Sequence, residues 1–159
     1  MKILMRVDAY PDIALGHLNR CVNLGISLIE YGHSVTFLSY NDSATQEILS
    51  KTGFEYKLTP FKINNKQSKH EELSQLEELS NSIDLLLVDS YNVDNDYFNL
   101  LNKYFPAIAY LDDLGLDFNV DLVINPSCKV TRSNYKAKKA LCGMQYVILG
   151  SEYKVGRVM

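Results

Sequence analysis

Short apolar segments alternate along the chain with stretches in which apolar side chains recur every three or four residues. The apolar segments predict β-strands at residues 2–8, 34–40, 54–58, 83–89, 107–111, 120–125 and 146–149. The helical period predicts a first α-helix that begins at Gly16 and three more over residues 43–51, 70–81 and 95–104. Ser43 is expected to cap the second helix, and residues 60–69 are expected to form a polar loop. Strands that alternate with helices predict one Rossmann-like α/β domain over residues 1–159, with a doubly wound, mostly parallel sheet.

The segment at residues 83–89, with the sequence IDLLLVD, is the clearest predicted strand. It is apolar without alternation, as a parallel strand covered on both faces is, so we expect it at the centre of the sheet. Three predicted strands end on polar residues, which are Asp89, Asp112 and Asn125. Because the carboxyl ends of parallel strands face the ligand crevice, these side chains are expected to share one edge with His17 at the start of the first helix.

Composition narrows the classes of protein that the chain can belong to. Its 159 residues and 47% hydrophobic content suit one globular domain with its own core. A formal net charge of -3 supplies no broad cationic field, which disfavours nucleic-acid binding. The first residues reach Arg6 and Asp8 too early for a signal-peptide core, and no stretch reaches membrane-spanning length. We therefore expect a cytoplasmic protein without membrane contact.

The cysteines are Cys21, Cys128 and Cys142, an odd number with wide spacing and no Cys-x-x-Cys pair. This spacing predicts neither a disulfide framework nor a zinc site. Cys21 lies in the apolar stripe of the first helix and is expected to be a small core residue.

Gly16 and His17 lie where the first strand passes into the first helix. At a helix amino terminus the dipole and the free N–H groups disfavour a positive charge, so we expect a neutral imidazole near neutral pH. A neutral imidazole can take a proton from a water or hydroxyl nucleophile, which makes His17 the candidate catalytic base. The alternative is a histidine that only caps or packs the turn.

Other residues at the predicted edge are candidates for ligand contacts. Gly16 allows a ligand to approach the backbone, and the amides after it can bind a phosphate or a sugar hydroxyl. Neither G-x-G-x-x-G nor the P-loop pattern occurs, so the sequence motifs do not indicate binding of NAD or ATP. No cofactor is expected. Tyr91 is a candidate sugar-contacting ring. An acidic set at the strand ends could hold a divalent cation, carry a phosphoacceptor carboxylate or form hydrogen bonds: Asp8, Asp89, Asp112 and Asp113.

Several short motifs together carry a resemblance to a known family. They are Arg6-Val7-Asp8, Ala14-Leu15-Gly16-His17 with Arg20, Asp89-Ser90-Tyr91, Leu111-Asp112-Asp113, Asn125 and Cys142-Gly143-Met144-Gln145-Tyr146. In order and spacing the chain resembles the hydrolase of pseudaminic acid biosynthesis, which removes UDP from UDP-2,4-diacetamido-2,4,6-trideoxy-β-L-altrose, and the related spore-coat polysaccharide proteins. The resemblance covers nearly all of the chain but only the amino-terminal half of that family.

The resemblance implies a GT-B-like architecture of two Rossmann-type domains and a metal-independent attack of water on the anomeric carbon of a UDP-activated amino sugar. It implies that His17 positions or deprotonates that water, and that the substrate contacts come from Asp8, Gly16, Arg20, Asp89, Tyr91, Asp112 and Asp113. In the family the UDP is held mainly by the carboxyl-terminal domain. We expect that nucleotide-binding domain to be missing here or to be a separate polypeptide, and the isolated chain to be inactive.

The chain departs from the family pattern at three places, and other functions stay open. Ala14 and Asn92 stand where glycine is usual, and residues 149–153 (LGSEY) lack an expected cation. One alternative is a GT-B glycosyltransferase of surface polysaccharide synthesis, in which the same histidine activates a sugar hydroxyl. Another is a non-enzymatic α/β module with a phosphoacceptor aspartate, although the chain lacks the Lys and Thr or Ser set that such modules use in the needed order.

Overall fold

The computed structural model describes residues 1–10, 15–62 and 65–156. In that part of the chain seven strands form one sheet, and every neighbouring pair is parallel. The spatial order is β3-β2-β1-β4-β5-β6-β7, so the chain builds outward from β1 on one side and from β4 on the other. The strands are β1 (Lys2–Val7), β2 (Ser34–Tyr40), β3 (Glu55–Thr59), β4 (Leu85–Asp89), β5 (Ile108–Leu111), β6 (Leu122–Asn125) and β7 (Lys139–Cys142).

Helices cover both faces of this sheet: α1 (Gly16–Glu30), α2 (Ser43–Thr52), α3 (Lys66–Ser80) and α4 (Asn95–Leu101). Alternate residues of β1 point to opposite faces, because side chains along a strand have a period of two. Ile3 and Met5 pack in one core cluster with residues of α1 and α2, whereas Leu4 packs in a second cluster with residues of α3 and α4. The predicted Rossmann-like, doubly wound α/β class is therefore confirmed.

Strand β4 lies in the middle of the sheet, between β1 and β5, as its apolar sequence predicts. Its residues Leu86, Leu87 and Val88 are all buried, although they alternate between the two faces. Cys21 is also fully buried, on the α1 side of the sheet, which agrees with its expected place in the core.

One helix start and one helix cap differ from the predictions. Helix α3 starts at Lys66 and not at residue 70, because the Asn65 side chain accepts a hydrogen bond from the Ser68 amide at 2.9 Å. Helix α2 is capped by Asp42 rather than by Ser43, since the Asp42 carboxylate accepts a hydrogen bond from the Ala44 amide at 3.0 Å.

The last strand was wrongly predicted. Residues 146–149 are not a strand; Met144–Tyr146 forms a 3-10 helix, and the seventh strand is Lys139–Cys142. The Lys139 amide donates to the Asp121 carbonyl at 3.0 Å and so starts the pairing with β6. Gly143 then adopts a left-handed φ of 109° and ends the strand.

None of the helices in the described part of the chain combines the length and the apolar composition that crossing a bilayer requires.

Leu76 tests the packing of α3 on the sheet, because its side chain is fully buried in the cluster shared with α4. We expect Leu76→Ala to lower the free energy of unfolding by about 2–5 kcal/mol, from lost apolar burial and the cavity left behind. Urea denaturation measures the change, with Glu78→Ala at an exposed position of the same helix as the control. Equal effects of the two substitutions would contradict this packing.

Candidate functional site

The side chains that the motifs single out lie at the carboxyl edge of the parallel sheet. Asp89 is the last residue of β4, and Asp113 follows β5 by two residues. His17 and Arg20 occupy the first turn of α1, which begins at the same edge after β1. The expected convergence of strand ends with the start of α1 is therefore present in the structure.

Asp89 is the centre of this cluster and is fully buried. Arg20 donates two hydrogen bonds to Asp89: Nε donates to Oδ2 at 2.6 Å, and a terminal nitrogen donates to Oδ1 at 2.6 Å. His17 Nδ1 hydrogen-bonds to Oδ1, and the Cys21 thiol donates to Oδ2 at 3.3 Å. Burial opposes ionisation of Asp89, but the hydrogen bonds from Arg20 and His17 outweigh it and lower the pKa of the carboxyl group.

This pairing determines which nitrogen of His17 carries the hydrogen. An ionised carboxylate only accepts hydrogen bonds, so the Nδ1 that contacts Asp89 must be the donor. In the neutral ring Nε2 is then left as the basic nitrogen. Besides its place at the helix amino terminus, this imidazole has a carboxylate in direct contact with Nδ1.

The sequence predicted that the imidazole of His17 would look into an open crevice, but in the structure the ring is covered. Its side chain is 6% exposed. The ring of Tyr91 packs against it, with ring centroids 4.5 Å apart and an angle of 77° between the ring planes. Tyr91 itself is 43% exposed.

Asp113 connects Arg20 with Tyr91. Its Oδ1 accepts a hydrogen bond from Arg20 at 2.7 Å, and its Oδ2 accepts one from the Tyr91 hydroxyl at 2.9 Å. Arg20 therefore bridges the buried Asp89 and the partly exposed Asp113. The predicted set of His17, Arg20, Asp89, Tyr91 and Asp113 forms one hydrogen-bonded cluster.

Asp8 belongs to a second buried network, next to the first. Arg6 contacts Asp8 and binds Glu72 of α3 through two nitrogens, at 2.5 and 2.9 Å. The Ser90 hydroxyl also donates to Asp8, and the Tyr97 hydroxyl donates to Glu72 at 3.1 Å. Because Asp8 is 1% exposed and engaged by these donors, the structure gives it an internal partner where the sequence suggested a ligand contact.

Glu72 is the residue of this network that sequence reasoning missed. It is fully buried, although glutamate is seldom so. The signal that could have revealed it is its helical position, four residues before Leu76 and next to Leu73, on the apolar side of α3. A carboxylate on such a side needs a cationic partner, and Arg6 lies in the strand below.

Asp112 holds the chain that follows β5. One oxygen accepts the amides of Leu114 and Gly115 at 2.9 and 3.2 Å. The other accepts the Leu116 amide, the Asn125 side chain and the Tyr135 hydroxyl, at 3.1, 3.2 and 2.5 Å. With no exposed surface and five donors within the chain, Asp112 stabilises the turn after β5, where the sequence suggested a substrate contact.

The remaining predicted positions differ in how open they are. A Cβ built on Gly16 meets no atom within 4 Å, so the start of α1 leaves space beside the backbone. The side-chain amide of Asn92 donates to the Tyr10 hydroxyl at 2.8 Å, and the backbone amide of Asn92 donates to the Ser90 hydroxyl. Leu149 and Tyr153 are mostly exposed. Ala14 lies outside the described residues.

Within the ranges that the structure describes, no group of three or more His, Cys, Asp or Glu side chains is arranged to hold a metal ion. The acidic side chains are instead divided between arginine partners and backbone amides. A small cleft of about 170 Å³ lies beside this cluster, where Arg20 meets the ends of β5 and β6 and the segment around Val147. Its other lining residues are apolar.

The Arg6–Glu72 pair generates a prediction about stability. Glu72→Gln removes the charge of the group that accepts from Arg6 and leaves Arg6 paired with Asp8, so we expect a loss of about 1.5–3 kcal/mol in the free energy of unfolding from the weakened hydrogen bonds. Urea denaturation measures it, with the isosteric change Glu78→Gln on the exposed side of α3 as the control. A loss no larger than that of the control would show that the pair does not stabilise the fold.

The Asp89 cluster generates a prediction about pH. Because the pKa of Asp89 is lower in the folded chain than in the unfolded chain, its contribution to stability is complete above the unfolded value of about 3.9. That contribution is lost as the pH falls through the lower folded pKa. We expect the free energy of unfolding to fall between about pH 5 and pH 2, and to fall less steeply in Asp89→Asn than in the unaltered chain. The exposed Asp96→Asn is the control, and equal slopes in all three proteins would contradict the assignment.

The chain is similar to known proteins in structure but not in sequence. No protein-family model matches the chain, and no curated protein matches it in sequence. The structure is similar to that of MurG from Acinetobacter baumannii, with a TM-score of 0.66 and 8% identity over 89% of this chain and 45% of MurG. It is also similar to a glycosyltransferase from Rickettsia africae ESF-5, with a TM-score of 0.62 and 13% identity over 87% of this chain and 42% of the other.

A short chain dehydrogenase from Mycobacterium smegmatis matches less well, with a TM-score of 0.53 and 10% identity over 89% of this chain and 91% of the other. At these identities the likeness shows the fold alone. The chain spans less than half the length of MurG and of the Rickettsia glycosyltransferase. The comparisons therefore show that the chain has a Rossmann-like α/β fold.

Proposed function

We propose that the chain is the acceptor-side domain of a GT-B glycosyltransferase, in which His17 takes the proton from a sugar hydroxyl. The observation that carries this proposal is the hydrogen-bonded series His17–Asp89–Arg20 at the carboxyl edge of the sheet. Its support from outside the chain is the likeness in fold to MurG and to the Rickettsia glycosyltransferase.

Each member of the series has a chemical part. Asp89 keeps the hydrogen of His17 on Nδ1, which leaves Nε2 free to accept a proton. Arg20 keeps Asp89 ionised and fixed, since it contacts both carboxylate oxygens. When His17 takes a proton, the charge of the imidazolium lies next to Asp89, and this lowers the cost of the step. Asp89 and Arg20 are positioning residues, and His17 is the catalytic residue.

The proposed reaction is a single displacement at the anomeric carbon of a nucleotide-activated sugar. The acceptor oxygen forms a bond to that carbon while its proton passes to His17 Nε2. The bond between the anomeric carbon and the phosphate oxygen breaks, and the nucleoside diphosphate leaves with the electron pair. His17 afterwards returns the proton to solvent. We expect a second, nucleotide-binding domain to hold the leaving group.

A second candidate is the UDP-sugar hydrolase that the sequence motifs suggest, with water in place of the acceptor hydroxyl. Its specific support is the apolar cleft of about 170 Å³ beside Arg20, which suits the methyl groups of a deoxy acetamido sugar. Under this alternative the substrate is a UDP-2,4-diacetamido-2,4,6-trideoxyhexose. The release of UDP and a reducing sugar without any acceptor would support the hydrolase and contradict the transferase.

The test uses the natural polypeptide that contains this chain, supplied with nucleotide sugars with and without acceptor sugars. We expect His17→Ala to lower kcat by about a hundredfold or more, because it removes the base. His70→Ala is the matched control, since His70 lies at an exposed position of α3. Turnover by His17→Ala that equals turnover by the control would remove His17 from the mechanism.

A further inference from the structure

Tyr91 covers the candidate base. Its ring lies 4.5 Å from the ring of His17, centroid to centroid, in an edge-to-face arrangement. The imidazole is 6% exposed, whereas Tyr91 is 43% exposed, so the tyrosine stands on the solvent side of the contact. A ligand that approaches the histidine from that side meets the tyrosine first.

One hydrogen bond ties this tyrosine to the neighbouring loop. The Tyr91 hydroxyl donates to Asp113 Oδ2 at 2.9 Å, and Asp113 is in turn fixed by Arg20 at 2.7 Å. Burial and the neighbouring Asp113 carboxylate raise the pKa of Tyr91, so the hydroxyl stays protonated and remains a donor. The bond joins the segment after β4 to the segment after β5.

The hydrogen bond between Tyr91 and Asp113 is weak enough to break when the tyrosine ring moves. A single hydrogen bond between side chains adds about 0.5–1.5 kcal/mol to stability, since water competes for both partners. Asp113 and Tyr91 both retain solvent contact, so water can replace either partner as the ring departs.

We propose that Tyr91, latched by Asp113, is a movable gate that has to leave His17 before a nucleophile reaches Nε2. The inference rests on the proposed function, in which His17 is the base. In the closed state the gate keeps water from the base, and this favours transfer to an acceptor sugar over hydrolysis. An acceptor hydroxyl is the same kind of donor as the Tyr91 hydroxyl, and it can take that place on Asp113 when the ring moves.

Chemical modification of the histidines tests the gate on this chain alone and requires no catalytic activity. Diethyl pyrocarbonate modifies accessible imidazoles, and mass spectrometry of peptides separates His17 from His33 and His70. The rate for a gated residue is proportional to the fraction of time that the gate is open. We expect His17 to react at least about tenfold more slowly than the exposed His70 in the unaltered chain.

Two variants separate the ring from the latch. Tyr91→Phe keeps the ring and removes the latch, so the rate at His17 is expected to rise about two- to tenfold, as the loss of one hydrogen bond implies. Tyr91→Ala removes the cover and is expected to bring the rate at His17 close to that at His70. Tyr31→Ala, at a position that is 82% exposed, is the matched control and leaves the rate at His17 unchanged.

Either of two results would overturn the gate: a rate at His17 that equals the rate at His70 in the unaltered chain, or no change at His17 in Tyr91→Ala. The rates at His33 and His70 report unfolding, because a variant that loses its fold raises the rates at all three histidines. Failure of the gate leaves the base proposal intact. Loss of the base proposal is shown separately, by normal turnover in His17→Ala.

Discussion

The candidate site depends on the ion pair between Arg20 and the buried Asp89. Two nitrogens of one guanidinium contact the two oxygens of one carboxylate, and this keeps the carboxylate ionised although it is out of solvent. The ionised state in turn makes His17 Nδ1 a donor and leaves Nε2 free. The chemistry assigned to the imidazole thus begins with a pair of residues 69 positions apart, one on α1 and one on β4.

Because these charges are buried, the pairing of the charged side chains tolerates little change. Taking an ion out of water is costly unless a partner and further hydrogen bonds compensate for it, and both networks at this edge meet that condition. Asp89 pairs with Arg20, whereas Asp8 and Glu72 share Arg6. The Asp8 amide donates to the Asp89 carbonyl at 3.0 Å and joins the two networks. Strands β1 and β4 and helices α1 and α3 are therefore held in one relative position.

Local patterns explain how much of this was predictable from the sequence. The place of His17 and Asp89 follows from where a parallel strand ends and a helix begins, and short-range periodicity shows both. Which groups bind each other is a property of the folded chain: Arg6 and Glu72 are 66 residues apart, and nothing near either residue marks the other. Strand β7 was missed because it has only four half-buried or exposed residues, whereas the more apolar residues 146–149 follow it at the end of the 3-10 helix Met144–Tyr146 and form no strand. The cover of Tyr91 over His17 depends on the geometry of two loops, which side-chain patterns do not encode.

The central claim is that Asp89 holds the hydrogen of His17 on Nδ1 and leaves Nε2 as the base. Nitrogen-15 NMR of the imidazole, recorded on the labelled chain at a pH at which the ring is neutral, tests it most directly, because protonated and unprotonated ring nitrogens resonate in well-separated ranges. We expect a protonated Nδ1 and an unprotonated Nε2 for His17, with this preference lost in Asp89→Ala. A spectrum in which Nε2 carries the hydrogen, or in which Asp89→Ala leaves the preference unchanged, would contradict it.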